Sequence, residues 1–183
     1  FIGNALYKEL APYYKIFGTY YSSKGYEKNT HFFEYNHEKS DLKVILREVK
    51  PKLIISALRG SFSSQIEAHL FLVNYLKMSN CRIMFLSSAN VFDSFRHYPS
   101  YEYDKTLSES IYGHFKIKIE NQLMHLPVGK YIVIRLPMIF GISAPRTLEI
   151  DEALKNDLAI EVFPNTVINV NSDIRLSQQI HYL

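Results

Sequence analysis

The sequence predicts an α/β protein: a doubly wound parallel sheet with helices on both faces. Three observations predict it. Strand-like and helix-like segments alternate along the chain. The central strand segments are apolar throughout, as strands buried on both faces are. The 183 residues suffice for one domain with a sizeable core, and they contain no fixed-period repeat, low-complexity tract or clear linker.

The elements follow in order. "NALYKELAPYY" places apolar residues at helical spacing, so residues 4–11 predict a helix. "YKIFGTYYSS" is a short β-prone run, and residues 22–30 are polar with a Gly, hence a loop. "HFFEY" predicts a strand. "EKSDLKVILREVK" carries Leu42, Ile45, Leu46 and Val49 on one stripe, an amphipathic helix that Pro51 ends. "KLIISAL" predicts a buried strand, "SSQIEAHLFLVNYLKMSN" a helix and "CRIMFLSS" the next strand. Residues 89–107 are irregular. "SESIYGHFKIKIENQLMHL" predicts a helix with Ser108 as N-cap, and "KYIVIRL" another buried strand. The tail predicts a helix near "LEIDEALKND", short strands "AIEVF" and "TVINV", and a final helix from about Asp173. Crossovers in such a sheet are right-handed.

Composition narrows the function classes. Hydrophobic residues are 47%, charged residues 21%, and the net charge is +3. Both signs are interspersed and no basic stripe is present, so a nucleic-acid partner is not expected. Cys81, the single cysteine, opens an apolar run and reads as a small buried side chain. No apolar run approaches the ~18 residues of a membrane span, and no secretory signal is visible. The expected setting is a soluble, cytoplasmic protein with no membrane partner. No His–Glu–His or Cys–His spacing resembles a metal site, so no metal is expected.

Ligands in this architecture bind at the carboxyl ends of strands. Those ends carry Tyr21 and Ser22, then Ser56, Ala57 and Leu58, then Ser87 and Ser88, and then Leu136, Pro137 and Met138. The helix after Ser88 contains Tyr112 and Lys116. Positions i and i+4 share a helix face, but Tyr20…Lys24, Tyr35…Lys39 and Tyr101…Lys105 have the same spacing. Spacing alone equally describes two solvent-facing side chains.

Order along the chain separates the four pairs. "FIG" resembles the end of a GxxGxxG turn. "KPKLIISAL" resembles PDxVIHxAA, "LSSANVFD" a strand end carrying a catalytic Ser or Thr, "YGHFK" the YGxxK motif, and "VIRLPMIFG" the strand that follows it. Together these resemble the extended short-chain dehydrogenases/reductases, the NAD-dependent epimerase/dehydratase superfamily. "GTYYSS" and "SSANVFD" are most similar to the dTDP-4-dehydrorhamnose reductase branch. The matches run in family order from residue 1 to about residue 141. "INVNSDIRLSQQIHYL" is similar to a late family segment, more loosely.

The resemblance implies a Rossmann-like dinucleotide-binding domain over residues 1–141, with a first strand and opening glycines before Phe1. It implies a small, partial substrate-binding region and late helix over 142–183. It implies Ser88, Tyr112 and Lys116 as catalytic residues. Tyr112 would donate the proton, Lys116 would lower the phenol's pKa and hold the nicotinamide ribose, and Ser88 would orient the substrate oxygen. Phe1, Ile2 and Gly3 would meet the pyrophosphate, and Glu34 and Tyr35 the adenine. Ser56, Ala57, Leu58, Ser87, Leu136, Pro137 and Met138 would line the cofactor. After the second strand, Tyr20, Tyr21, Ser22, Ser23 and Lys24 include no acid to bind ribose hydroxyls. That favours NADP over NAD, unless the stretch is simply a polar loop. Arg59 could meet a phosphate or stay at the surface, and Arg146 lies where the family recruits sugar-nucleotide contacts. The segment between "SALRG" and "LSS" is shorter than is usual in the family, which bears on the substrate pocket.

The implied function is reduction of a 4-keto-6-deoxyhexose on a nucleotide, in surface polysaccharide synthesis, with a homodimer among the candidate assemblies. The alternatives are a sugar-nucleotide epimerase or dehydratase, and a non-catalytic dinucleotide-binding subunit.

Overall fold

A computed structural model describes residues 1–22, 25–36, 41–92, 99–162, 164–165 and 167–183. Ser23 and Lys24 of the stretch read for a 2′-phosphate, Lys39 of one Tyr–Lys pair, and Asp93 of "SSANVFD" lie outside the described residues. The chain forms two compact units, Thr19–Leu136 and the pair of segments Phe1–Gly18 with Pro137–Leu183. The division at residue 141 that the resemblance implies is by ligand role, and it does not group the N-terminal helix with the C-terminal segment.

The larger unit is built on a parallel sheet of β3 (Leu53–Ser56), β4 (Arg82–Ser88) and β5 (Tyr131–Leu136), in that order. Parallel neighbours need helical crossovers. These are α3 (Phe62–Lys77) and α4 (Ile111–Leu123). β4 is central and buried from Ile83 to Ser88, which is why "IMFLSS" contains no charge. Ile83 and Phe85 project to one face and pack with Leu72, Val73 and Leu76 of α3 and Phe115, Ile119 and Leu123 of α4. Each such fully buried side chain contributes about 1.5–3 kcal/mol. Met84 and Leu86 project to the opposite face and are buried as well. A separate pair, β1 (Gly18–Tyr20) and β2 (Phe32–Glu34), is tied by the Tyr35 N–H donating to the Tyr20 carbonyl at 2.7 Å.

Local chemistry sets the helix ends. α2 (Leu42–Val49) starts at Asp41, whose carboxylate accepts the Lys43 N–H at 2.8 Å. It stops at Lys50, which turns left-handed with φ 47° just before Pro51. Ser61 caps α3 by accepting the Ser64 N–H. The cap of α4 corrects the sequence reading. Ser110 accepts the Gly113 N–H at 2.9 Å, whereas Ser108 is buried and accepts the Ser110 N–H at 3.2 Å. The helix therefore begins at Ile111, two residues later than Ser108 as N-cap implies.

In the smaller unit α1 (Ile2–Leu10) packs on α6 (Asp173–Tyr182). Leu6 and Leu10 are buried, as are Leu176 and Ile180. The His181 Nδ1 lies 3.1 Å from a Glu9 carboxylate oxygen, and the Tyr13 ring sits 4.5 Å from the His181 ring. β6 (Met138–Phe140) pairs in parallel with β7 (Val170–Ser172). A Cβ on Gly141 would lie 2.6 Å from the Asp173 carboxylate, so a larger residue there would require that side chain to shift. α5 (Pro145–Lys155) opens on a proline and buries no residue. Two expected strands are corrected. Residues 159–162 of "AIEVF" form no strand, and of the described residues of "TVINV" only Val170 enters one. β-propensity reports fit to a half-buried pleated surface. Val162, Val167 and Ile168 are exposed, so that surface is missing.

The architecture is α/β with parallel sheets flanked by helices, the Rossmann-like arrangement.

Candidate active site

The carboxyl ends of β4 and β5 lie side by side, with Ser88 in register with Leu136 and Ser87 with Arg135. Ser88 is buried. Its Oγ donates to the Asn90 side-chain oxygen and accepts the Asn90 N–H, both at 3.2 Å. A single 3-10 turn, Ala89–Phe92, carries the chain away from this end.

α4 presents Tyr112 and Lys116 to the same region. Lys116 is only 7% exposed. Its Nζ donates to the Leu86 carbonyl at 2.9 Å and lies 5.6 Å from the Tyr112 ring centroid. It also faces the Phe85 ring at 4.8 Å and the Phe115 ring at 5.4 Å. This is not a solvent-facing pair. Burial pulls the Lys116 ammonium down to about 8, and the Glu120 carboxylate opposes that fall. Tyr112 is 40% exposed. Burial raises its phenol pKa, and the Ser88 hydroxyl acts in the opposite direction.

Gly113 shows why the motif contains a glycine here. A Cβ would overlap the Ser108 hydroxyl and approach the Asn90 carbonyl to 2.5 Å. The close approach brings the first turn of α4 against the segment that follows Ser88.

Two buried polar clusters were not legible as site features. Glu120 lies one turn beyond Lys116 and is 1% exposed. It accepts a hydrogen bond from Ser87 and pairs with Arg135, Nη2 to Oε2 at 2.8 Å. Arg135 also donates to the Glu102 carbonyl at 2.9 Å and stacks on Phe92. The signal in the sequence is the i, i+4, i+8 series Tyr112, Lys116, Glu120. The second cluster is His69, fully buried on α3. Its Nδ1 lies 2.6 Å from the Gln65 carbonyl, which can only accept, so Nδ1 carries the proton. Nε2 then accepts from the Ser56 hydroxyl at 2.8 Å. Burial lowers its pKa to about 4, so the ring is neutral at pH 7.

Other residues singled out by sequence are placed as follows. Ser56 ends β3 and is buried, Ala57 is exposed, and Leu58 is half-buried. Tyr21 and Ser22 follow β1 and are exposed; Glu34 is exposed at the end of β2, and Tyr35 beyond it is buried. In the smaller unit, Phe1 precedes α1 and its carbonyl accepts the Asn4 and Ala5 N–H groups, with Ile2 and Gly3 in the first turn. Pro137 is half-buried, and Met138 opens β6 by donating its N–H to the Asn169 carbonyl at 3.1 Å. Arg59 is exposed, and Arg146 pairs with Glu149 at 3.0 Å on the surface of α5. Tyr101 and Tyr103 stack at 5.5 Å in an irregular, exposed stretch, so Tyr101…Lys105 does not share a helix face. No helix of the described residues is long and apolar enough to cross a membrane.

No protein-family model and no curated protein matches the sequence. Solved structures do match. A hypothetical dTDP-4-dehydrorhamnose reductase from Sulfolobus tokodaii superposes with a TM-score of 0.82 at 19% identity, covering 100% of this chain and 68% of that one. The dTDP-glucose 4,6-dehydratase of Bacillus anthracis, in complex with NAD, gives 0.80 at 16%, covering 99% and 67%. The UDP-N-acetylglucosamine 4-epimerase of Methanobrevibacter ruminantium, in complex with UDP-N-acetylmuramic acid, gives 0.76 at 18%, covering 97% and 67%. The chain has their fold. It spans about two thirds of the length of these neighbours. In a fold of this class ligands lie outside the carboxyl ends of the strands, where β3, β4 and β5 present Ser56, Ser88 and Leu136.

Proposed function

We propose that the protein is an NAD(P)-dependent oxidoreductase acting on a nucleotide-linked sugar, and that it reduces a 4-keto-6-deoxyhexose. The observation that carries this reading is the buried Lys116 ammonium beside the half-exposed Tyr112 ring, at the strand end that bears Ser88. Neighbours of the same fold named as reductases, dehydratases and epimerases of sugar nucleotides support it.

The residues of the larger unit suit a nicotinamide dinucleotide: a phenol, a hydroxyl and an ammonium converge at one strand end. Lys116 would hold the nicotinamide ribose, and Ser56, Ala57, Leu58, Ser87 and Leu136 would line the group. Glu34, Tyr35, Tyr21 and Ser22 would meet its adenosine half. When bound, the group supplies the hydride. Ser88 orients the substrate carbonyl by hydrogen bonding to its oxygen. As the carbonyl carbon gains the hydride, the Tyr112 O–H bond breaks and its proton passes to the carbonyl oxygen. A free phenol titrates near ~10 and is a poor acid–base group at neutral pH. Lys116, mostly protonated at pH 7, stabilises the phenolate left behind.

The hydroxyl-rich segment after β1 favours NADP over NAD. Residues 1–141 would bind the dinucleotide and 142–183 part of the substrate. A cytoplasmic setting and a homodimer complete the proposal. The test is an assay with NADPH and a 4-keto-6-deoxy sugar nucleotide. Stoichiometric NADPH oxidation supports the reductase. Turnover without net cofactor change shows an epimerase or dehydratase, and tight dinucleotide binding without turnover shows a non-catalytic subunit.

A further inference from the structure

Tyr112, Lys116 and Glu120 occupy successive turns of one face of α4. The last of them has the most constrained surroundings. A carboxylate with 1% exposure needs partners for its charge. Ser87 donates to Oε1, Arg135 Nη2 donates to Oε2, and Arg135 Nε reaches both oxygens at 3.3 Å. These donors come from adjacent positions of β4 and β5, because Ser87 and Arg135 are in register. The carboxylate is thus held by two strands, 33 and 15 residues away in sequence.

Lys116 is the group that gains from this. Among the described residues, its close contacts are three aromatic rings and one carbonyl, none with a full negative charge. Among the titratable groups around it, His69 on α3 is neutral and cannot compensate a cation. β4 contributes the Leu86 carbonyl and the Phe85 ring. Arg135 on β5 is engaged with Glu120 and the Glu102 carbonyl. Tyr112 on its own helix is a neutral phenol at rest. Among the described residues, Glu120, one turn further along the same helix, is the anion that acts on the ammonium.

We propose that Glu120, clamped by Ser87 and Arg135, is a positioning residue that keeps Lys116 charged and in reach of the Tyr112 ring. The inference rests on the oxidoreductase reading for its functional meaning. Its physical content, the charge state of Lys116, is separately measurable.

The experiment follows the Lys116 13Cε resonance through a pH titration of lysine-labelled protein, with Lys116→Arg to assign it. In the wild type the midpoint is expected near 8. In Glu120→Gln it is expected to fall by about one pH unit or more, and turnover at pH 7 to fall with it. Glu120→Asp, which keeps the charge, is expected to restore most of the midpoint. An unchanged midpoint in a folded Glu120→Gln protein overturns the proposal. If that variant does not fold, a wild-type midpoint below about 7 overturns it, because Lys116 would then be neutral despite its carboxylate. A shifted midpoint together with full turnover in Tyr112→Phe leaves the role of Glu120 standing and removes the oxidoreductase reading instead.

Discussion

The ammonium of Lys116 lies 5.6 Å from the centre of the Tyr112 ring and 2.9 Å from the Leu86 carbonyl. The helix spacing supplies the first relationship and the packing of α4 on β4 the second. The expectation that this cation lowers the phenol's pKa is corrected: burial raises the Tyr112 pKa, and the group opposing that rise is the Ser88 hydroxyl.

Tyr112→Phe removes the proton donor and leaves the ring contacts in place. Turnover is expected to fall at least about 100-fold, while dinucleotide affinity by calorimetry changes little. Unchanged turnover would refute the assignment.

Lys116→Met tests the cost of the buried charge. Burial lowers the lysine pKa from 10.5 to about 8, so between those values the unfolded chain binds more protons than the folded one. Stability should therefore rise with pH through this window, and the penalty is fully present below pH 8. It amounts to about 3 kcal/mol at neutral pH. The methionine variant is expected to be more stable than the wild type at pH 7 and nearly inactive, and its advantage should shrink towards pH 10.5. Urea titrations at pH 7 and 10 read this out. An advantage independent of pH contradicts it.

His69 gives a dependence of the same sign in a more acidic window. Its neutral ring is buried and its pKa lowered from 6.5 to about 4. The unfolded chain takes up a proton as pH falls through 6.5, and the folded chain does so only near 4. Stability is therefore lost across that interval. His69→Gln is expected to flatten the loss, as followed by urea midpoints at pH 4.5 and 7. A slope identical to that of the wild type would show that other groups carry it.

Gly113→Ala drives a methyl into Ser108 and the Asn90 carbonyl. The first turn of α4 should shift, lowering turnover tenfold or more, on the order of the loss from a misplaced catalytic group. The double variant Gly113→Ala/Ser108→Ala should stay impaired, because the backbone carbonyl remains. Ser110→Ala should cost about 1 kcal/mol as a lost cap, whereas Ser108→Ala removes no hydrogen bond to the Gly113 N–H. An unchanged melting temperature in Ser110→Ala would argue against Ser110 as the cap.

The alternation of strands and helices was legible because backbone periodicities are local: 3.6 residues per turn along α3, and an unbroken apolar run along β4. The start of α6 at Asp173 and the shared face of Tyr112 and Lys116 follow from the same periodicity. Tertiary structure decided the rest. Ser108 and Ser110 have the same hydroxyl, and the close approach at Gly113 helps decide which one caps. "AIEVF" has strand-forming residues, but no partner surface covers its described part. Glu120 reads as the end of a charged tripeptide, "KIE", until the register of β4 and β5 brings Ser87 and Arg135 to it. Periodicity is a property of neighbours along the chain, whereas burial of a charge depends on groups that only packing brings together.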